Sequence, residues 1–258
     1  MTNQSVEDCA KNPLEYLIDR SNDGYNIILL AEHHASKKSH EFLAVALPRL
    51  RQELNLEFLA VELDHSLNDD VRKYIETADA VYKSKFESGL RRGTDYSKIL
   101  TTAGRIGLNV VCIDYKLPRS IKDKVMCNSV PHGKGIIYVG GAHAAKQPGF
   151  LSLGFYLVNR FGNDKVLSVY QEDAEISDGN HKEKVGFLKR LDPKRLSFKP
   201  ALFDSKDREL YERLMTLPEI KKDVFFATAW FANYDGIIYH PKIYPIFPSS
   251  PPAPSKTS

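Results

Sequence analysis

The chain is poor in cysteine, tryptophan and methionine. Its 258 residues include three cysteines, one tryptophan and three methionines. Cys9, Cys112 and Cys127 form no close pair in the sequence, which argues against a disulfide-rich scaffold and fits a reducing compartment. Cys112 lies inside an apolar run, where we expect it to pack as a small hydrophobic residue.

Long apolar runs are also missing. No segment approaches the roughly 20 apolar residues needed to cross a bilayer, so no membrane span is expected. Residues 1–9 are polar and acidic, and they lack the basic start and apolar centre of a secretory signal. The sequence therefore favours a cytoplasmic protein, an effector delivered without a classical signal, or a mature form whose signal has been removed.

The chain carries little excess charge of either sign. Its 36 basic and 33 acidic side chains leave a net charge of +3, and no region concentrates the basic residues. This balance gives no strong sign of a basic surface that would bind nucleic acid. No nucleotide-binding loop with its lysine and hydroxyl is present, and no dinucleotide fingerprint is found. Nucleic acid is therefore not expected as a partner, and the sequence sets no oligomeric state.

Short apolar runs alternate with helical patterns along most of the chain. The predicted strands cover residues 25–30, 57–63, 108–113, 135–139, 165–170 and 235–239, with a further apolar segment at 224–226. Such alternation predicts an α/β fold with a mostly parallel β-sheet flanked by helices. We expect a single domain over residues 1–242, with a helical insertion or cap at about 67–106. The Pro- and Ser-rich residues 243–258 are expected to form a disordered tail.

The first two predicted strands are separated by a helical pattern. Apolar side chains recur at near-helical spacing over residues 40–54, at Phe42, Val45, Ala46, Leu50 and Leu54. Strand, helix and strand form a βαβ unit, whose crossover should be right-handed.

Two apolar runs stop at histidine. The first ends at Glu32-His33-His34, with His40 shortly after it, and the second ends at Gly140-Gly141-Ala142-His143. In parallel sheets, the groups just beyond the strand ends converge on a crevice where ligands bind. We therefore expect these distant segments to supply one site. Gly140 and Gly141 would let the backbone turn and approach a ligand closely.

Acidic residues stand at other strand ends. Glu62 and Asp64 close the second strand, and Asp114 closes the third. Carboxylates with neutral imidazoles can bind a divalent metal, or they can form a general base with its orienting acid. Residues at i and i+2 of a strand share a face, so Glu32 and His34 could project together if the strand geometry continues.

The order of these motifs resembles the superfamily that contains erythromycin esterases, ChaN-like haem-binding lipoproteins, and the Tiki and TraB proteases. Its marks are paired Gly-x-x-His motifs, the first commonly Gly-Glu-x-His, and a glutamate closing the next strand. Glu32 and His34 match the first motif, Glu62 the strand-end glutamate, and Gly140 with His143 the second. The likeness covers roughly residues 25–240. Ala31 stands where the family usually has glycine.

The resemblance implies hydrolysis of an ester or amide in a small natural product or peptide, with Glu32, His34, Glu62 and His143 as the catalytic residues. Those four residues, with a weaker contribution from His40, are also candidate ligands for zinc, manganese or cobalt. A bound metal would lower the pKa of its water toward about 7. Without a metal, His34 would take the proton while Glu32 or Glu62 orients it. Gly140 and Gly141 are the candidate cofactor-binding positions.

Two other functions compete with hydrolysis. A ChaN-like protein would bind haem or a metal without catalysis. An interaction or effector domain would keep the fold, but its acids and histidines would be scattered or blocked by side chains.

Several of these polar residues have ordinary structural alternatives. Asp64 and His65 fit the start of a helix as well as a ligand set, and His40 can simply open its helix. Asp114 can bind loop amides, and lysines such as Lys116 and Lys146 are usually solvated. The remaining alternatives are a turn role for His240 before Pro241, and core packing or a substrate wall for Phe225, Phe226, Trp230, Phe231 and Tyr234.

Overall fold

A computed structural model describes most of the chain. The described residues are 5–34, 36–88, 95–174, 188, 191–192, 194–216 and 233–241. The predicted tail at 243–258 and the apolar segment at 224–226 lie outside them, as do four of the five aromatic residues considered as a substrate wall. Among the described residues, no helix combines the length and apolar character that a bilayer crossing requires.

A seven-stranded sheet forms the centre of the molecule. Its strands are β1 Ile27–Glu32, β2 Phe58–Asp64, β3 Asn109–Asp114, β4 Gly135–Gly140, β5 Val166–Asp173, β6 Ala201–Asp204 and β7 Gly236–His240. They lie in the order β3-β2-β4-β1-β5-β7-β6. Every pairing is parallel except that between β6 and β7. The predicted α/β class with a mostly parallel sheet is therefore confirmed.

Helices cover both faces of this sheet. Those in the described residues are α1 Pro13–Asn22, α2 Lys37–Leu54, α3 Asn68–Thr77, α4 Ala80–Glu87, α5 Ser97–Arg105, α6 Arg119–Ser129, α7 Leu153–Phe161 and α8 Arg208–Thr216. Helices α3, α4 and α5 lie between β2 and β3, where the sequence predicted a helical insertion. The division into a single domain with an insertion stays a prediction.

Strand β1 is buried on both sides. Ile27, Ile28, Leu29 and Leu30 are each fully buried, as expected for a central parallel strand covered by helices. Ile28 and Leu30 join the hydrophobic cluster that contains α1, α2 and α5. Ile27 and Leu29 join a second cluster with α6 and α7. Alternate side chains of the strand therefore enter two different layers.

Helix α2 begins three residues earlier than the apolar pattern indicated. The side chain of Ser36 accepts a hydrogen bond from the backbone of Ser39 and caps the start of the helix. The helix ends at Leu54, and Asn55 after it adopts the left-handed conformation. Leu47 is fully buried against the sheet, whereas Val45 is 44% exposed. The expectation that Val45 belongs to the apolar face of this helix is therefore wrong.

The sequence pattern missed two elements. Helix α6 has few apolar residues, of which Met126 is buried and Ile121 is exposed, so its periodicity is weak. Strand β6 is only four residues long. His240, expected to be a turn residue, is instead the last residue of β7 and is completely buried, with its ring 3.1 Å from the side-chain oxygen of Gln171.

Two substitutions in α2 test which face of the helix carries the packing. Leu47→Ala should lower the free energy of unfolding by about 2–5 kcal/mol, because it removes buried methyl groups and leaves a cavity. Val45→Ala, two residues away and exposed, should change it by less than about 1 kcal/mol. Urea unfolding followed by circular dichroism measures both, and equal losses would contradict this packing.

Candidate active site

The two histidine motifs lie side by side at the carboxyl edge of the sheet. Strands β1 and β4 pair in parallel, and Glu32 stands directly opposite Gly140. Strand β2 pairs with the other edge of β4, which brings Glu62 beside the second motif. Strand pairing therefore gathers residues that are about a hundred positions apart in the sequence.

Glu32 and His34 form the first pair of the site. The carboxylate of Glu32 is buried, and its Oε1 lies 2.7 Å from Nδ1 of His34, whose side chain is 22% exposed. Within the described residues, neither oxygen of Glu32 meets the angular criteria of a hydrogen bond. The 2.7 Å separation still places the buried carboxylate where it stabilises positive charge on the imidazole. It is thus His34, rather than His33, that faces Glu32.

The His34 ring lies against Gly140. A Cβ atom built on Gly140 would be 2.5 Å from Nε2 of His34 and 3.3 Å from Oε2 of Glu62. No real Cβ tolerates the first contact, so the absence of a side chain at this position is what admits the ring. Nε2 of His34 and the carboxylate of Glu62 consequently approach the same point beside the backbone.

Glu62 is held by two donors. Its Oε2 accepts a hydrogen bond of 2.6 Å from the backbone N–H of Gly140, and its Oε1 lies 3.2 Å from Nε2 of His143. Burial acts to raise the pKa of Glu62, but the bond and charge of His143 and the Gly140 amide outweigh it and lower this pKa to about 2. Glu62 is therefore an anion throughout the neutral range.

His143 lies between two carboxylates. Its second ring nitrogen, Nδ1, is 2.6 Å from Oδ1 of Asp123 on α6, and the other Asp123 oxygen accepts a bond from the backbone N–H of Leu153 at the start of α7. Burial acts to lower the pKa of His143, but the bonds to Asp123 and Glu62 outweigh it and raise this pKa to about 9. The sequence did not point to Asp123, because no motif or strand end marks it.

His40 supports the buried side of Glu32. Its Nε2 is 3.8 Å from Glu32 Oε2, and its Nδ1 is 3.2 Å from the hydroxyl of Tyr138. The ring also packs edge-on against Tyr96, at 5.4 Å between centroids. Burial lowers the pKa of His40. His40 lies in the first turn of α2, and its ring contacts Glu32 and Tyr138 as well. Its role is therefore not limited to the start of that helix.

The remaining acidic candidates have structural partners. Asp64 accepts hydrogen bonds from the backbone and hydroxyl of Ser66, as a helix-capping residue does. His65 stacks on Tyr115, with ring centroids 4.8 Å apart. Asp114 forms an ion pair of 2.6 Å with Lys122.

The two lysines considered for oxyanion binding are also engaged elsewhere. Lys116 lies 3.0 Å from Asp64, and Lys146 lies 2.9 Å from Asp235. Lys146 is additionally bonded to the backbone oxygen of Val166. These contacts give neither lysine a position beside His34.

A divalent metal at this site stays a prediction. Nε2 of His143 faces Glu62, itself a candidate ligand, and Nδ1 faces Asp123, which is not one. In the part of the chain that the structure describes, no three or more histidine, cysteine or acidic side chains are grouped to hold an ion. The proposed ligand set of Glu32, His34, Glu62, His143 and His40 therefore has no geometric support.

Side chains pack closely against both glycines. The His34 ring lies against Gly140, and a Cβ on Gly141 would lie 2.4 Å from the ring of Tyr170. Tyr234, the one described member of the aromatic group, donates a hydrogen bond to the carbonyl of Gly141 and packs against Tyr170. Haem or other cofactor binding at Gly140 and Gly141 stays a prediction, and these contacts do not favour it.

Substituting Gly140 tests how tightly the site is assembled. Gly140→Ala should displace the His34 ring, because the new methyl group would occupy its position, while the clash falls on a side-chain end and costs the fold little. Long-range proton–nitrogen NMR spectra of the histidine rings should show large shifts for His34. Gly149→Ala is the matched control, since a Cβ there meets nothing within 4 Å. Unshifted His34 signals in Gly140→Ala would contradict the contact.

The ion pair between Glu62 and His143 predicts a specific pH dependence of stability. The pKa of His143 rises from 6.5 to about 9 on folding, so its contribution is complete below 6.5 and is lost as pH rises through 9. The pKa of Glu62 falls from 4.5 to about 2, so its contribution is complete above 4.5 and is lost as pH falls through 2. The pair should therefore stabilise the protein most between pH 4.5 and 6.5.

Urea unfolding of the wild type and of His143→Gln at several pH values measures this pH dependence. The difference in unfolding free energy should be largest near about pH 6 and should shrink toward about pH 9. His132→Gln, at an exposed loop position, gives the baseline for losing a histidine. A difference that grows with rising pH would show that His143 is not held as a cation.

Comparison with known proteins adds evidence about the fold. No family model and no curated protein matches the sequence. A Bacillus cereus protein of solved structure is 10% identical, covers 92% of this chain and 95% of its own, and has a TM-score of 0.61. ChaN of Campylobacter jejuni, described with cofacial haem binding, is 12% identical over 63% of this chain and 87% of its own, with a TM-score of 0.45.

The type III effector HopBA1 also appears among the similar structures. It is 16% identical, covers 65% of this chain and 85% of its own, and has a TM-score of 0.49. At these identities the Bacillus cereus structure shows a shared fold and assigns no activity. The chain thus shares its fold with the Bacillus cereus protein, and membership of the erythromycin esterase superfamily stays a prediction.

Proposed function

We propose that the chain hydrolyses an ester or amide bond, with His34 as general base. The observation that carries the proposal is the contact between Glu32 and His34. A buried carboxylate 2.7 Å from Nδ1, on a ring that is 22% exposed, is the arrangement in which an acid orients an imidazole toward substrate. The acids and histidines also lie together, whereas a domain that had lost its chemistry would have them scattered.

The chemistry follows from the two nitrogens of this ring. Glu32 favours the hydrogen on Nδ1, so Nε2 is the nitrogen that accepts a proton from water. The water oxygen attacks the carbonyl carbon, and the proton passes to His34. The bond to the leaving alcohol or amine then breaks, and the imidazolium returns the proton to that group. Glu32 stabilises the transient positive charge, and the products are a carboxylic acid and an alcohol or amine.

Glu62 supplies a second acceptor for the same water. Its Oε2 and the Nε2 of His34 approach the same position beside Gly140. A water molecule held by two acceptors donates one hydrogen to each, which directs a lone pair away from both and toward substrate. Because the pKa of Glu62 is about 2, it acts as an orienting anion and not as an acid at neutral pH.

The substrate class and location belong to the same proposal. A small natural product or peptide is the class implied by the sequence resemblance. A cytoplasmic location is supported by the three cysteines, all free and buried.

A variant of His34 tests the proposal. His34→Gln keeps a polar side chain of similar length but has no basic nitrogen, so kcat/KM should fall by about 100-fold to 10,000-fold. The measurement is hydrolysis of a panel of p-nitrophenyl esters and p-nitroanilide peptides by purified protein. Circular dichroism should show the fold unchanged.

His132→Gln is the control, because this exposed histidine lies in the loop before β4, at the opposite edge of the sheet. It should keep the activity of the wild type. Full activity in His34→Gln, or a wild type that hydrolyses no member of the panel, would count against the proposal.

A further inference from the structure

Asp123 connects three separate segments of the chain. It lies on α6, is 7% exposed, and directs its two oxygens at different partners. Oδ1 is 2.6 Å from Nδ1 of His143, which follows β4, and Oδ2 is 3.0 Å from the backbone N–H of Leu153, which begins α7. The carboxylate thus links a side chain of the site to the middle of α6 and to the start of α7.

We infer that Asp123 is a positioning residue: it fixes the ring of His143 and, through that ring, the carboxylate of Glu62. The sequence of contacts runs from the Leu153 amide to Asp123, then His143, then Glu62, and it ends at the Gly140 amide. The inference rests on the proposed hydrolase for its purpose, which is to place Glu62 beside the attacking water.

His143 needs an external restraint. It belongs to a short 3-10 turn over Gly141–His143. The packing of a long helix or strand therefore does not fix the orientation of its ring. Hydrogen bonds at both nitrogens determine the rotation of the ring about its side-chain bonds. With Asp123 on one nitrogen, the other points at Glu62. A shift of even 1 Å in such a group can cost two orders of magnitude in rate.

Capping of α7 does not by itself explain Asp123. The side chain of Ser152 already occupies the capping position and accepts a bond from the Phe155 amide. Asp123 also forms its shorter contact with His143 and not with the helix. The carboxylate is therefore placed for the histidine, and its second oxygen is satisfied by the helix end.

Asp123→Asn is the decisive variant. The amide carbonyl can keep the bond to Leu153, but its NH2 group then meets the N–H of His143 donor to donor. The ring should turn, and Glu62 should move away from Gly140. Two NMR signals should report this in any protein sample: the low-field His143 Nδ1 proton should disappear, and the downfield Gly140 amide should move upfield. For an ester that the wild type hydrolyses, kcat should fall about 10-fold to 100-fold with KM little changed.

Val158→Ala is the matched control for a disturbed α7, because this side chain packs on the same hydrophobic cluster as α6. It should lower stability while leaving both NMR signals and kcat unchanged, because Asp123 and His143 stay in contact. Unaltered His143 and Gly140 signals in Asp123→Asn would overturn the inference, and so would their equal loss in Val158→Ala. The NMR signals can be measured without turnover. A wild type that hydrolyses nothing would therefore refute the proposed function, and the NMR signals would still show whether Asp123 positions Glu62.

Discussion

The parallel pairing of β1 with β4 is the constraint on which the site depends. Its register places Glu32 opposite Gly140 and so brings His34 to the second histidine motif. A shift of one residue would turn Glu32 toward the other helical layer, because alternate side chains of a strand point to opposite faces. The apolar cores on both sides of β1 resist such a shift, so hydrophobic packing far from the site holds its polar groups in place.

The sequence was sufficient for every strand of the sheet except β6, but it did not indicate the partners that helices supply. Residues such as Glu32, Glu62 and His143 end apolar runs, and parallel topology brings such ends together. Asp123 lies on a helix with few apolar residues, where an acidic side chain looks like any solvated one. Only the packing of α6 beside α7 and the β4 end shows that it is buried. His240 was misjudged for a related reason, since a proline after it suggested a turn although β7 continues to it.

Burying a charged carboxylate costs free energy, and the site offsets this cost differently at Glu32, Glu62 and Asp123. An unpaired buried carboxylate is strongly unfavourable. Glu62 and Asp123 share the charge of His143 and each also accept a backbone N–H, so both are well compensated. Glu32 has a weaker environment, with one close imidazole and a second at 3.8 Å. A carboxylate that is incompletely compensated gains most when the neighbouring imidazole becomes positive, which is the change that proton transfer to His34 produces.

The two histidines differ because they belong to different layers of the fold. Glu32 continues the strand face of Ile28 and Leu30, so His34 is paired on the layer of α2 and α5. His143 follows β4 and meets the layer of α6, which contributes Asp123 to it. One imidazole therefore has a single carboxylate and access to solvent, and the other lies between two carboxylates as a cation. Identical side chains acquire a basic role and an orienting role from their surroundings, and Gly140 lets the two layers meet at one sheet edge.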